Sequence, residues 1–271
     1  MTDMTFAAQN GRTISKEDKI FGINNRAQAR AAQIGKENVV NATIGALLDD
    51  DGKLIVLSSV DEVFRQLSPE DYAEYAPIGG TEGFKEAVKK DIFRGYRTNA
   101  AVEAVSTPGG TGAVRNAIAN YSEYGDTVLT TDWYWGPYKT IAEDQGKKLT
   151  TFELFDEEGG FNFASLMEKS RELLEKQDRL VIILNTPSHN PTGYALSVDE
   201  WEKLVELLNG LPENKKIALL VDAAYMDFSG DEEESRAFLP VLEKVNGNIL
   251  PMTSYSLSKA YTLHGLRWGA W

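Results

Sequence analysis

Leu180-Val-Ile-Ile-Leu-Asn185 and Ile217-Ala-Leu-Leu-Val-Asp222 are the two runs on which the fold turns. Each is an unbroken aliphatic segment closed by one polar residue, without the apolar–polar alternation of a strand that has one wet face. Strands of that kind are covered on both sides, as in parallel sheets packed between helices. The residues between them agree. Ser197-Val-Asp-Glu200 has the spacing of a capping box, in which serine and glutamate side chains satisfy free N–H groups at a helix start. The helix that follows puts Trp201, Leu204, Val205 and Leu208 on one face.

Moving upstream, Ala164–Lys176 reads as a helix and Lys148–Phe155 as a strand. Thr127–Thr131, after the Gly125-Asp126 turn, is another strand. Thr111–Tyr121 is helical, with Val114, Ala117, Ile118 and Tyr121 on one face, and Val102–Ser106 precedes it as a strand. Downstream come a solvated acidic loop at Asp231–Glu234, a helix carrying Phe238, Val241 and Leu242, and a buried strand at Ile249-Leu-Pro-Met-Thr253. The first hundred residues are less regular. Asp18–Gly35 is helix-like, Val39–Gly45 extended, Asp49–Gly52 a turn and Val60–Leu67 a short helix. Tyr75-Ala-Pro-Ile-Gly-Gly80 is a loop, and Thr81 is placed to cap a helix whose Phe84, Val88 and Ile92 repeat until Gly95 stops it. Arg267–Trp271 is strand-like with no turn signal after it, and the expectation is a chain that continues in a longer protein.

The 271 residues suffice for one large domain or two smaller ones, with an ordinary globular balance of 42% hydrophobic and 25% charged residues. A net charge of −13 argues against a nucleic-acid partner, so an anionic ligand must be captured by local geometry. With no cysteine and two histidines, His189 and His264, no metal site is expected, and the composition fits a cytoplasmic chain. The longest aliphatic run, Leu180–Leu184, is too short to span a bilayer, so no membrane partner is expected.

In an open α/β sheet, ligands bind beyond the carboxyl ends of the strands, and the notable residues fall there. Pro108-Gly-Gly-Thr-Gly112 joins a strand to a helix and could present N–H groups to an anion. Trp133-Tyr-Trp135-Gly-Pro-Tyr138 could wall a flat ring. Asn185-Thr-Pro-Ser-His-Asn190-Pro-Thr-Gly193 follows one central strand, and Asp222-Ala-Ala-Tyr225 closes another. Ser254-Tyr-Ser-Leu-Ser-Lys259 ends the strand that began at Ile249, with Arg267 eight residues on. A lysine in a partly dry pocket loses its proton cheaply and can form a Schiff base. Singly, each piece is as readily a turn, a surface aromatic loop or a solvated lysine. One group would use them all: pyridoxal 5′-phosphate, with its flat cationic ring, phosphate arm and aldehyde.

The ordered set G-T-G, W, N-P-T-G, D-x-x-Y, S-x-S-K and a trailing R resembles the fold-type I aminotransferases. Tyr75-Ala-Pro-Ile-Gly-Gly80 makes the chain most similar to their aspartate and aromatic aminotransferase branch, from about Asn41 to Trp271. The resemblance implies an α/β fold with a mostly parallel seven-stranded sheet flanked by helices. Residues 1–70 would form an N-terminal arm and part of a small domain, and 71–271 the cofactor-binding large domain, without its C-terminal part. It implies a transaminase of amino-acid metabolism that moves an amino group between a dicarboxylic or aromatic amino acid and a 2-oxo acid. A lyase on the same scaffold and a non-catalytic module of the fold are the alternatives. By resemblance Lys259 is the Schiff-base lysine, Asp222 pairs with the ring nitrogen, and Tyr225 and Asn190 bond the phenolate oxygen. Trp135 stacks on the ring, while Gly110, Thr111, Gly112, Ser256 and Arg267 hold the phosphate. Tyr75 reaches the phosphate of a neighbouring subunit, implying a homodimer, and Ile44 and Gly45 close over substrate. Two departures stand out. Where the family often supports the aspartate with a histidine, three residues after the tryptophan, this sequence has Tyr138. The arginine that binds the substrate α-carboxylate belongs to a C-terminal segment outside these residues.

Overall fold

The aliphatic runs pair side by side in a seven-stranded sheet of order β1-β7-β6-β5-β4-β2-β3. The strands of this computed structural model, which describes residues 19–43, 45 and 47–271, are β1 Ser106–Pro108, β2 Thr127–Thr131, β3 Lys148–Phe152, β4 Arg179–Asn185, β5 Lys216–Asp222, β6 Ile249–Ser256 and β7 Trp268–Ala270. β2 to β6 are mutually parallel, and β7 runs antiparallel between β1 and β6. The helices are α1 Lys19–Ile34, α2 Ser58–Gln66, α3 Pro69–Ala73, α4 Glu82–Phe93, α5 Gly109–Tyr121, α6 Pro137–Asp144, α7 Phe163–Leu174, α8 Val198–Asn209, α9 Leu239–Leu242 and α10 Leu257–Ala260. The α/β class, the seven strands and their mostly parallel order are those expected from sequence.

Alternation within the buried strands divides the core by face. Val181 and Ile183 of β4 and Ala218 and Leu220 of β5 join Val114, Ala117 and Ile118 of α5 and Ile141 of α6. Leu180, Ile182 and Leu184, with Leu219 and Val221, join Leu166 and Leu173 of α7 and Trp201, Leu204 and Leu208 of α8. Full burial of each aliphatic side chain contributes about 1.5–3 kcal/mol. The Ser197–Glu200 capping box is formed as the sequence predicts, and Thr81 accepts the Phe84 N–H at 3.3 Å.

Two strands differ from expectation. The run Val102–Ser106 is a strand only at its last residue; β1 covers Ser106–Pro108, because those residues face β7. Val105 adds a reciprocal pair of bonds to Trp271 at 3.0 and 3.2 Å. β3 stops at Phe152 rather than Phe155, since the next amides turn elsewhere: Glu153 N–H to Ser165 Oγ at 3.0 Å and Leu154 N–H to Asp132 Oδ1 at 2.9 Å. Val39–Gly45 forms no strand among its described residues, and Ile44 lies outside them, as does Asp18.

The chain divides into two compact units, Met1–Val56 and Leu57–Trp271. Within the first, the buried Asn24 side chain accepts from Asn41 Nδ2 at 2.9 Å and Thr43 Oγ1 at 3.2 Å. Its Asp49–Gly52 turn is closed by a bridge between Leu48 and Leu54. The second unit carries the sheet. Among the described residues, no helix is long and apolar enough to cross a membrane.

Candidate active site

Strand register sets Asn185, Asp222 and Ser254 side by side at the carboxyl ends of β4, β5 and β6. Asn185 is a bracket between two strand ends. Its Nδ2 donates to the Asp222 carbonyl at 2.8 Å and its Oδ1 accepts the Asn190 N–H at 2.6 Å. The sequence places Asn185 at the end of its strand without pointing to a role, although the argument that marked Asp222, a polar residue closing a buried strand, applies to it equally.

Asp222 is buried, at 7% exposure. Burial raises its carboxyl pKa, against the donors that hold it: the Tyr138 hydroxyl, the Ala224 N–H and the Ser254 hydroxyl. None of these donors is a cation, so the site has a desolvated carboxylate suited to a positively charged or N–H-bearing ligand. Tyr138 donates to Asp222 Oδ2 from a fully buried position. Its own pKa is pushed well up by burial first and by the Asp222 charge second, so the phenol keeps its proton.

Trp135 meets the Tyr138 ring edge-on at 5.5 Å and 84°, and its carbonyl accepts the Tyr138 N–H at 2.9 Å. The loop before it is tied by the Trp133 carbonyl, which accepts from the Thr131 hydroxyl and from His189 Nε2 at 2.8 Å. With Nε2 donating, His189 Nδ1 accepts from Thr192 Oγ1 at 2.9 Å. Burial lowers the His189 pKa and favours this neutral form. One imidazole thus joins the aromatic loop after β2 to the loop that carries Asn190. Tyr225, three residues past Asp222, bonds the Asn190 side chain, which opposes the rise in its pKa caused by burial and by the Asp222 charge.

Lys259 sits in the short helix α10, with Nζ 5.4 Å from the centre of the Tyr225 ring. It is half-buried, and burial followed by the Arg267 charge lowers its pKa. Ser256 caps α10, accepting the Ser258 N–H at 3.3 Å. The start of α5 packs against the same place. A Cβ on Gly110 would lie 3.2 Å from Ser256 Cβ and 3.4 Å from Ser254 Oγ. Gly109 has φ +70°, a conformation that favours glycine. A Cβ on Gly269 would fall 2.5 Å from the Gly109 carbonyl carbon and 2.7 Å from the Tyr255 oxygen. These glycines let β7 lie against the α5 amino end, and Arg267 precedes β7 in a left-handed conformation with φ 56°. N–H groups of a helix start, two serine hydroxyls and a guanidinium could together hold a small anion.

Thr111 is exposed in the first turn of α5. Gly112 is buried, where a Cβ would lie 2.6 Å from Pro108 Cδ. Tyr75 is 98% exposed. Gly45 is exposed within the first unit, and Ile44 lies outside the described residues. His264, which the motifs passed over, has its pKa lowered by burial and then by the charges of Lys259 and Arg267. Among the described residues, no cluster of three or more His, Asp or Glu is placed to hold a metal ion.

A sheet with helices on both faces carries at its carboxyl edge a half-buried lysine, a buried aspartate and a close cluster of Gly110, Ser254 and Ser256 beside the Arg267 backbone. Residues 37–271 match the family described as aminotransferase class I and II, and the chain belongs to that family. It is 27% identical over 243 residues to the tyrosine aminotransferase of Klebsiella pneumoniae, covering 86% of this chain and 59% of that protein. It is 28% identical over 240 residues to a mitochondrial aspartate aminotransferase of Xenopus tropicalis, covering 85% and 54%. An aminotransferase structure from Anaerococcus prevotii superposes with a TM-score of 0.94 at 37% identity, over 98% of this chain and 66% of that one. The chain spans 54% to 63% of the length of the curated relatives it matches.

Proposed function

We propose that the protein is an aminotransferase that uses pyridoxal 5′-phosphate, the cofactor of its family, to move an amino group between an amino acid and a 2-oxo acid. The observation that carries this reading is the meeting of Lys259, Asp222 and Tyr225 at one sheet edge, beside the cradle of Gly110, Ser254 and Ser256. The donor set fits the cofactor. The cradle suits a phosphate, the donor-bound but uncompensated Asp222 suits a protonated ring nitrogen, and the Trp135 indole suits a ring face.

When bound, pyridoxal 5′-phosphate supplies an aldehyde that captures an amino group and a ring that accepts an electron pair from the substrate α-carbon. The chain supplies the rest. Gly110, Thr111, Ser256 and Arg267 anchor the phosphate, with Gly112 setting the helix start against Pro108. Trp135 limits where the ring lies. Asp222 keeps the ring nitrogen charged, and Tyr225 and Asn190 orient the ring oxygen. Lys259, its ammonium destabilised by burial and by Arg267, gives up its proton more readily than an exposed lysine and can serve as both covalent anchor and proton carrier at Nζ.

The finer reading follows the resemblance. A dicarboxylic or aromatic amino acid is the donor, with Ile44 and Gly45 in the segment that closes over it. Residues 1–70 serve as arm and part of a small domain, and 71–271 as the cofactor domain. The working form is a cytoplasmic homodimer with Tyr75 reaching into the neighbouring subunit, and its role lies in amino-acid biosynthesis. To test the activity, the full-length protein is incubated with pyridoxal 5′-phosphate, reduced with borohydride and mapped by mass spectrometry. Transamination is assayed in parallel against a panel of amino acids. The expected result is one adduct, on Lys259, with turnover of an acidic or aromatic donor. An adduct on another lysine overturns the assignment.

A further inference from the structure

We propose that Tyr138 is a positioning residue that fastens the Asp222 carboxylate and the Trp135 indole into one unit, so that the groups meeting the edge and the face of a bound ring are spaced before the ring arrives. The proposal rests on the cofactor reading above and deepens it. Tyr138 has no exposed surface and is attached three ways. Its hydroxyl donates to Asp222 Oδ2 across 84 residues of sequence, its N–H donates to the Trp135 carbonyl at 2.9 Å, and its ring packs edge-on to the indole at 5.5 Å. A single side chain thus links α6, the loop after β2 and the end of β5.

The donor's chemistry matters as much as its place. An imidazole at this position would change charge within the physiological range. A buried phenol beside a carboxylate does not, so Asp222 receives one neutral donor at every working pH. The groups facing Asp222 are Tyr138 from α6, the Ala224 N–H and Tyr225 from the segment after β5, and Ser254 from β6. Of these only the two tyrosines titrate, and burial raises both. Lys259 stands over the Tyr225 ring, Nζ 5.4 Å from its centre.

The test uses the full-length protein and separates the tether from the cofactor. Tyr138→Phe keeps the ring and removes the hydroxyl. In the apoprotein, Asp222 has a raised folded pKa, so its contribution to stability is full at low pH and is lost as pH rises through that value. Removing an opposing donor raises the folded pKa further. The destabilisation by Tyr138→Phe should therefore grow from acid to neutral pH, and this growth should vanish in an Asp222→Asn background. Pyridoxal 5′-phosphate should bind the variant about tenfold more weakly, as expected for losing a hydrogen bond to a charged group. Tyr138→His restores a donor, and should recover affinity relative to Tyr138→Phe while adding a pH step in the bound-cofactor spectrum in the histidine range. A pH-independent stability loss with unchanged affinity overturns the proposal, as does a Tyr138→His form that recovers nothing. If the wild-type protein binds no cofactor, the aminotransferase reading falls, and the apoprotein pH profile still decides the Tyr138–Asp222 tether.

Discussion

Burial makes the charged forms of Lys259 and Asp222 costly and shifts both groups toward neutrality. That cost is a source of reactivity, and the two residues should answer differently to substitution. In the role proposed for it, Lys259 is covalent anchor and proton carrier, and Lys259→Ala would remove both while leaving the cradle. The variant should therefore still bind pyridoxal 5′-phosphate, measured by equilibrium dialysis, with no borohydride-stable adduct and no transamination. Asp222→Asn should act in opposite directions on chemistry and on stability. Turnover should fall by about 10²–10³, the scale for removing one preorganised electrostatic contact. The apoprotein should lose the part of its stability profile that declines with rising pH, because the titrating carboxyl with its raised folded pKa is gone. Denaturant midpoints from acid to neutral pH check the second effect. An Asp222→Asn profile parallel to wild type would show that Asp222 is not the group responsible.

At the scale of elements, the parts decided locally were legible and those decided by distant partners were not. β4, β5 and α8 follow from aliphatic runs and a capping box, signals contained within a dozen residues. β1 was placed early because its extent is set by β7, whose pairing the sequence does not display. The candidate site residues were named through the family resemblance of motifs that mostly follow strand ends. The resemblance pointed to Tyr138 beside the aspartate, but the Asn185–Asn190 and His189–Trp133 bonds escaped, being matters of three-dimensional register. The close approach of β7 to α5 was equally invisible. It supports a firm prediction. A Cβ on Gly269 would strike backbone atoms at 2.5 and 2.7 Å, which cannot swing aside as a flexible side chain can. Gly269→Ala should cost about 3 kcal/mol, near the top of the usual range for overpacking. It should also weaken cofactor binding, because Arg267 immediately precedes β7. Gly247→Ala, with nothing within 4 Å of its added carbon and no left-handed backbone, is the matched control and should stay near wild type. Equal denaturant midpoints for the two variants would refute the packing argument.

At the scale of the whole molecule, the question is how an acidic chain could associate with a copy of itself. A formal charge of −13 over these 271 residues opposes pairing of two copies. A homodimer must then be driven by apolar burial. The loop between α3 and α4 offers such surface, with Tyr75 at 98% and Ile78 at 104% exposure three residues apart, and with Tyr72 at 72% in α3. Side chains of this size left wholly in water forgo the roughly 1.5–3 kcal/mol each that burial contributes. The balance between repulsion and burial predicts the sign of a salt effect. Screening shortens the reach of charge from about 30 Å at 0.01 M to about 8 Å at 0.15 M, while apolar contact is little affected. Added salt should therefore tighten the dimer, the reverse of what an interface held by ion pairs would do. Sedimentation equilibrium of the protein should give twice the mass of one chain, with a dissociation constant that falls between those salt concentrations. Ile78→Asp, which adds a charge and removes an apolar contact, should shift the equilibrium toward monomer by tenfold or more, since about 1.4 kcal/mol suffices for that. Tyr75→Phe should leave the mass unchanged and weaken cofactor binding if its hydroxyl reaches the neighbouring phosphate. Dissociation by salt, or an Ile78→Asp protein as dimeric as wild type, would remove this loop from the interface.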